Sequence, residues 1–235
     1  MLRDRSDLLW ILAIDGVWSL IGLSQVEPHL MGSLRTLVRQ RLARVTRPAL
    51  RPTGYSRRAI PTDIAVLTPT GREEARRCLG CPAVLATLGH EVEHRLGVAV
   101  LRTRLQISLD VWTSATEVQT AGVTGIVGPV VRALPDGLAD VRGVRLALEY
   151  DHGRYTAVQI QYKLREFKHL ASETIWAAPT ESRTRWLQDH GCERALTIPL
   201  PLGIWRKLDD GGAARGSGDF PGLGNPGPGA SSARM

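Results

Sequence analysis

Apolar residues recur at helical spacing near the start of the chain. Leu8, Ile11 and Leu12 fall on one helical face, and Asp15 with the glycine after it ends that segment. The Ser-Gln-Val-Glu sequence at 24–27 fits a capping box, in which serine and glutamate satisfy the free amides of a helix start. The pattern therefore predicts one helix that ends at Asp15 and a second that starts at residue 24.

The next segment favours a third helix followed by a hairpin. Ser33 is placed to cap that helix, whose apolar positions recur every three or four residues. These positions are Leu34, Leu37, Val38, Leu42 and Val45. Candidate strands at Leu50-Arg51 and Ile64–Leu67 flank a polar loop, and Thr68 with Pro69 is placed to begin a further helix. Three helices and a hairpin predict a winged helix-turn-helix, in which the third helix enters the major groove of DNA.

The second half of the chain has the pattern of a mixed sheet covered by helices. Helices are predicted over 85–104, 155–171 and 181–190, and strands over 105–112, 130–134, 144–150, 174–178 and 195–198. In the helix over 155–171, Ile160, Leu164 and Phe167 belong to a regular apolar seam. The order α-β-β-β-α-β-α-β predicts an α/β (α+β) sandwich with a mixed sheet at its centre.

Length and composition indicate two globular domains and a tail. The chain has 235 residues, of which 43% are hydrophobic and 23% charged. We expect a winged-helix domain over 1–80, an α/β domain over 81–208, and a disordered tail of Gly, Pro, Ser and Ala over 209–235. The apolar run at 8–14 is too short to span a membrane, and three cysteines give no disulfide framework. A cytoplasmic location without membrane partners is therefore expected.

Basic residues are concentrated in one acid-free segment. The chain has 30 Lys and Arg residues against 23 Asp and Glu, a formal net charge of +7. Residues 28–62 contain eight arginines and no acidic residue. Six of these arginines are candidate DNA contacts: Arg35, Arg39, Arg41, Arg44, Arg57 and Arg58. The segment indicates double-stranded DNA as a partner, and the alternative is a solvated basic face on an ordinary domain.

Acidic residues and a lysine form a candidate catalytic site in the second half. Asp136 lies in a Pro-Asp-Gly sequence, and Glu149 and Asp151 stand at the end of an apolar strand. Lys163 lies on the helix that follows. Two carboxylates on adjacent strands can share a divalent metal that activates water and stabilises a pentavalent phosphate, while a nearby lysine positions the water. The alternative is a turn, a solvated strand end and a surface lysine.

Five sequence segments occur in a distinctive order and spacing. They are Leu67–Glu73, Gly89–Glu91, Ala133–Gly137, Ala147–Gly153 and Lys163–Phe167. Behind a predicted winged helix, they resemble the replication-relaxation family of plasmid and mobile-element proteins over residues 6–198. The resemblance implies DNA binding during replication, relaxation or mobilisation of a plasmid-like element, with replication or transfer proteins of that element as partners.

The resemblance also implies a PD-(D/E)xK nuclease-like fold for residues 81–208. Carried over by position, Asp136 and Glu149 are the acidic pair that would bind Mg²⁺ or Mn²⁺. The nuclease pattern has lysine two residues after the glutamate, where this chain has Asp151, and Lys163 is expected to replace it. With these four residues as candidate catalytic groups, one hypothesis is a metal-dependent DNA endonuclease or nickase. The other is a non-catalytic DNA-binding factor that needs no metal.

A third hypothesis rests on the five residues that begin at His90. Their sequence, His-Glu-Val-Glu-His, matches the H-E-x-x-H pattern of zinc metalloproteases. His90 and His94 would hold zinc, Glu91 would act as the base, and Glu117 would supply a third ligand. Against this hypothesis, Glu93 places a charge where the buried helix of such proteases normally has an uncharged residue.

Overall fold

Short helices and a small antiparallel sheet form the N-terminal part of the molecule. The computed structural model describes residues 5–51, 58–80, 83, 90–115 and 133–205. The first elements are α1 (Arg5–Asp15), β1 (Trp18–Ser19), α2 (Leu20–Val26), α3 (Leu30–Arg39) and β2 (Ala43–Thr46). They are followed by β3 (Ala49–Leu50), β4 (Ile60–Pro61), β5 (Ile64–Leu67) and α4 (Pro69–Leu79). Strand β5 pairs antiparallel with both β1 and β2, and β3 pairs with β4 as a separate hairpin.

Two helix starts differ from those that the sequence predicts. The prediction of a helix start at Ser24 is wrong, because Ser19 caps α2 by accepting a hydrogen bond from the Gly22 amide. The hydroxyl of Ser24 instead donates to a carbonyl inside α2. Helix α3 begins at Leu30, before the predicted cap Ser33. The capping pattern at Ser24 therefore lies near the end of α2, and Ser33 lies inside α3.

The end of α3 also differs from the prediction. Arg41 has a left-handed φ of 57°, and the chain then enters β2. Leu42 and Val45, which the periodicity assigns to the helix, therefore lie beyond it. By contrast, Thr68 caps α4 and Pro69 is its first residue, as predicted.

A five-stranded mixed sheet organises the second half. Its elements are α5 (His90–Arg104), β6 (Trp112–Ser114), β7 (Gly137–Val141), β8 (Val144–Tyr150), α6 (Ala157–Phe167), β9 (Glu173–Ala178), α7 (Glu181–Asp189) and β10 (Ala195–Thr197). The strand order is β10-β9-β8-β7-β6. Strands β6, β7 and β8 pair antiparallel, while β8, β9 and β10 run parallel. The predicted α+β class and mixed sheet are confirmed.

Two of the predicted strands have other positions. The strand predicted over 105–112 begins only at Trp112, because the chain turns at Gln106, whose φ is 55°. Residues 133 and 134 of the predicted strand 130–134 are not in a strand, and its other residues lie outside the described ranges. Strand β7 was not predicted. It begins at Gly137, where an added β-carbon would lie 2.1 Å from the ring of Trp112, so the strand start requires glycine.

The mixed sheet is covered on both faces. On one face Ala139, Leu148 and Ile175 join a core that also contains residues of α1 and α5. On the other face Ala147 and Trp176 pack with residues of α6 and α7. Residues 5–205 belong to one compact unit, and the predicted domain boundary at residues 80 and 81 stays a prediction. The predicted tail at 209–235 lies outside the described residues.

The C-terminal segment, residues 199–205, returns to the N-terminal part. The Asp63 amide donates to the Gly203 carbonyl, and the Trp205 amide donates to Oδ2 of Asp63, each at 3.0 Å. Arg47 binds the same carboxylate through Nε at 2.6 Å. Pro201 packs so closely on α2 that a β-carbon at Gly22 would lie 2.8 Å from it. Among the helices that the structure describes, none is both long and apolar enough to cross a bilayer.

Candidate functional site

Two carboxylates meet where β7 and β8 lie side by side. In this antiparallel pair Gly137 is the register partner of Leu148. Asp136 immediately precedes β7, so the same register places it beside Glu149, which is fully buried. Oδ2 of Asp136 also accepts a hydrogen bond from the Tyr150 amide at 2.7 Å. Strand pairing therefore brings together the two acidic residues that the sequence singles out.

Helix α5 adds a histidine to this site. Nε2 of His94 lies 2.7 Å from Oδ1 of Asp136, and Nδ1 is buried with no hydrogen-bond partner among the described residues. Close approach of α5 to β8 depends on Gly97, because a β-carbon there would lie 2.2 Å from the ring of Tyr150. The H-E-x-x-H pattern places His94 in a zinc site, and no local pattern indicates its contact with Asp136, since 42 residues separate the two side chains in the chain.

Lys163 reaches the other carboxylate of the pair. Its Nζ lies 2.5 Å from Oε1 of Glu149. Thr156 and Gln159 form a capping box at the start of α6, and the side chain of Phe167 is fully buried against the sheet. Both features fix the rotation of α6, so that Lys163 faces β8.

Tyr155 completes the arrangement and was not predicted from the sequence. Its hydroxyl donates to Oε1 of Glu149 at 2.7 Å, and Nζ of Lys163 lies 4.6 Å from the centre of its ring. Oε1 therefore has two donors, whereas Oε2 is buried without a hydrogen-bond partner in the part of the chain that the structure describes. A tyrosine before a helix start is common in any sequence, so no local pattern signals its role.

Burial and neighbouring charges move the pKa values of the site in opposite directions. Burial, reinforced by the charge of Asp136, raises the pKa of Glu149 to about 7. Burial also acts to raise the pKa of Asp136, but the charge and hydrogen bond of His94 outweigh it and lower that pKa. Burial acts to lower the pKa of His94, but the charge of Asp136 and its hydrogen bond raise it to about 8. Burial, followed by the charge of Glu149, raises the pKa of Tyr155.

Asp151 lies close by in the chain but has other partners. Its Oδ2 accepts a hydrogen bond from Nε of Arg183 at 2.8 Å, and its Oδ1 accepts bonds from the amides of Gly153 and Arg154. Arg183 also donates to the Tyr155 carbonyl. Asp151 therefore holds the loop that carries Tyr155, and the structure does not bring it to the Glu149 carboxylate through any hydrogen bond among the described residues.

The H-E-x-x-H residues do not converge on one point where they are described. His94 binds Asp136, Glu91 is exposed, and Glu93 is buried and accepts a hydrogen bond from the Arg51 amide. The side chain of His90 and the whole of Glu117 lie outside the described parts. Within residues 5–51, 58–80, 83, 90–115 and 133–205, no group of three His, Cys, Asp or Glu side chains is placed to hold a metal.

The candidate DNA contacts lie around α3 and the hairpin after it. Those that the structure describes are exposed: Arg35, Arg39, Arg41, Arg44 and Arg58. Arg57 lies outside the described residues. Arg35 and Arg39 are one helical turn apart, and with Val38 and Val45 they line a surface groove. This surface is both basic and partly apolar, because Val38 and Val45 are 39% and 43% exposed.

Comparisons of this chain with protein-family models, with curated proteins and with solved structures find no match. Function therefore has to be inferred from the side chains that the fold brings together. Those side chains are His94, Asp136, Glu149, Tyr155 and Lys163, which we call the Asp136–Glu149 site.

Proposed function

We propose that this protein binds double-stranded DNA through its N-terminal part and cleaves it, as an endonuclease or nickase, at the Asp136–Glu149 site. The observation that carries the proposal is the contact between Nζ of Lys163 and Oε1 of Glu149, next to Asp136. Two neighbouring carboxylates can hold a divalent metal ion that activates water for phosphodiester hydrolysis, and a lysine beside them can orient that water. The setting that the sequence resemblance suggests is replication, relaxation or mobilisation of a plasmid-like element.

The order of elements supports both halves of the proposal. Three helices precede strands β2 and β5, the β3–β4 hairpin lies between these two strands, and β5 is central in its sheet, which supports the winged helix expected from the sequence. The second half begins with α5 and three antiparallel strands, and α6 then connects β8 to its parallel neighbour β9. This order among the described elements supports the PD-(D/E)xK-like fold that the sequence resemblance implies. A fold alone does not establish an activity, so the side chains carry the argument.

The donor atoms of the site fit Mg²⁺ or Mn²⁺. Oε2 of Glu149 is a buried carboxylate oxygen without a hydrogen-bond partner among the described residues, and hard cations prefer oxygen ligands. Mg²⁺ is commonly held by one or two carboxylates, with water and substrate phosphate completing its shell, so Glu149 and Asp136 are sufficient. When bound, such an ion supplies a more acidic water and neutralises charge on the phosphate.

The protein's own side chains would orient the reactants. An ammonium has three N–H donors, and one of those on Lys163 is used by Glu149. The others can hold the attacking water and an oxygen of the phosphate, where negative charge develops in the transition state. Tyr155 keeps Oε1 of Glu149 in place, and His94 does the same for Oδ1 of Asp136. These contacts keep the catalytic groups fixed before DNA arrives.

Nicking of supercoiled plasmid with Mg²⁺ or Mn²⁺ tests the catalytic half of the proposal. We expect the wild type to nick, and Lys163→Met to lower the rate by about 10²- to 10⁴-fold, because the lysine orients the reacting groups. Lys168→Met is the matched control, since Lys168 lies at the exposed end of the same helix. Asp136→Ala should also abolish nicking. No nicking by the wild type, or equal rates for both lysine variants, would leave the non-catalytic DNA-binding factor as the better hypothesis.

The salt dependence of duplex binding tests the DNA-binding half. Each phosphate contact contributes about −0.9 to the slope of log affinity against log salt concentration. Replacing Arg35 and Arg39 with Gln should therefore flatten the slope by about 1.8 if both contact phosphate. The matched control replaces Arg165 and Arg185, two exposed arginines on α6 and α7, with Gln. Equal slopes for the two double variants would show that α3 does not face the DNA.

A further inference from the structure

A cavity beside the Asp136–Glu149 site is lined by Arg95, which has no ion pair with any described residue. The cavity has a volume of about 250 Å³, and its walls include His94, Arg95, Trp112, Ser114 and Asp136. Arg95 is half-buried, and its Nε is shielded from solvent without a hydrogen-bond partner in the described part of the chain. No ion pair joins its guanidinium to another described residue.

A second arginine on α5, Arg102, has a structural role and provides a comparison for Arg95. Arg102 lies two turns after Arg95 and is also buried. Its Nε and one terminal nitrogen bind Asp15, and the other terminal nitrogen donates to the Ile107 carbonyl. Each nitrogen of Arg102 therefore has a partner within the fold, whereas Nε of Arg95 has none among the described residues.

We expect the half-buried guanidinium of Arg95, which has no ion pair with a described residue, to lower the stability of the free protein. Removing a charge from water without a bonded counter-ion is costly, and arginine keeps its charge at every physiological pH. Burial lowers the pKa of Arg95, and only the more distant charges of Glu91 and Asp136 oppose that effect. Proteins commonly keep a residue that lowers folding stability where that residue is needed for function, such as binding a ligand. The ligand that suits a planar guanidinium is an anion with two oxygens in one plane, and phosphate has that geometry.

We propose that Arg95 and the cavity it lines bind a phosphodiester of the DNA strand next to the bond that is cut. This inference rests on the proposed function, because Asp136 stands in the wall of the same cavity and would face the reacting phosphate. Helix α5 is thereby a substrate-binding element, and the strand enters from the side of α5. His94, whose Nε2 contacts Asp136, also lines this cavity.

The experiment compares Arg95→Met with Arg104→Met in the full chain. Methionine keeps the apolar stem of the side chain and removes the charge, and Arg104 is an exposed arginine on the same helix. Thermal unfolding is measured without DNA, and binding to a fluorescein-labelled duplex is measured in EDTA over a range of salt concentrations. We expect Arg95→Met to raise Tm by about 2–4 °C, since it removes an unsatisfied charge. The same variant should weaken duplex binding about tenfold at low salt and flatten the salt slope by about 0.9, while Arg104→Met changes neither quantity.

The outcomes separate this inference from the proposed nuclease activity. A lower Tm for Arg95→Met would make Arg95 a structural residue and overturn the inference. Unchanged affinity and salt slope would overturn it as well. If the expected shifts are found but the wild type does not nick plasmid, the phosphate subsite stands and the nuclease activity fails. If the wild type nicks and Arg95→Met matches it in binding, the nuclease activity stands and the subsite fails.

Discussion

At the scale of single residues, the pKa values of two neighbouring carboxylates are shifted in opposite directions. The pKa of Asp136 is lowered by His94 in spite of burial, while burial and the charge of Asp136 raise the pKa of Glu149 to about 7. Such separation of two pKa values is typical of sites where one group stays charged and the other exchanges a proton near neutral pH. At pH 7, Asp136 is the anion that holds His94.

The His94–Asp136 contact predicts a loss of stability between pH 6.5 and about 8. The pKa of His94 rises from 6.5 to about 8 on folding, so the folded protein binds more protons than the unfolded chain in this range. Stabilisation from His94 is therefore complete below pH 6.5 and is lost as the pH rises through about 8. Glu149 acts in the same direction between 4.5 and about 7, because its pKa is also raised on folding.

Urea denaturation at a series of pH values measures this effect. We expect His94→Gln to remove about 1–2 kcal/mol of the decline in unfolding free energy above pH 6.5. His169→Gln is the control, since His169 is exposed and should leave the decline unchanged. The same pH dependence in both variants would contradict the assignment of the decline to His94.

At the scale of elements, the distance between α5 and β8 depends on one glycine. Helix interiors normally favour alanine over glycine by about 1 kcal/mol. At Gly97 that preference is outweighed, because a β-carbon would collide with the ring of Tyr150. The ring has no room to move, since it is fully buried and its hydroxyl donates to the Ile198 carbonyl at 3.0 Å.

Two alanine substitutions test this packing. Gly97→Ala should destabilise the fold by about 1–3 kcal/mol and slow plasmid nicking, because β8 carries Glu149 next to Tyr150. Gly32→Ala in α3 should stabilise it by about 0.5–1 kcal/mol, since no atom lies within 4 Å of the added methyl position. Chemical denaturation gives both values. A stabilising Gly97→Ala would mean that α5 and β8 are farther apart than described.

Elements with a strong local pattern were predictable, and contacts between distant segments were not. Helix α6 has a seam of apolar residues around Ile160 and Phe167, and its position followed from that period alone. Strand β7 has only five residues and starts at a glycine, so its sequence is too short to show a clear alternation of apolar and polar residues. The Lys163–Glu149 pair could be suggested from sequence order because α6 directly follows β8. Contact of His94 with Asp136 depends on how α5 crosses the sheet, which no local pattern records.

At the scale of the whole molecule, Asp63 links the C-terminal segment to the N-terminal part. Its buried carboxylate accepts hydrogen bonds from Arg47 and from the Trp205 amide. Asp63→Ala should therefore lower the unfolding free energy by about 2–4 kcal/mol, because it leaves both donors without this partner. The control is Asp140→Ala, because Asp140 and its partner Arg145 are both exposed. We expect this substitution to change the unfolding free energy by less than about 0.5 kcal/mol. Equal losses in urea denaturation would show that the C-terminal segment does not stabilise the fold.

The return of the C-terminal segment also sets an order of events during protein synthesis. A ribosome releases residues 5–67 long before residues 199–205, so the face of α2 around Gly22 and the carboxylate of Asp63 stay without their last partners until translation has passed Trp205. The N-terminal part is synthesised first, but it reaches its final packing only after the residues of the mixed sheet have been synthesised. In a nascent chain, the N-terminal part would thus gain its contacts with residues 199–205 last. By then the residues of the Asp136–Glu149 site have already left the ribosome.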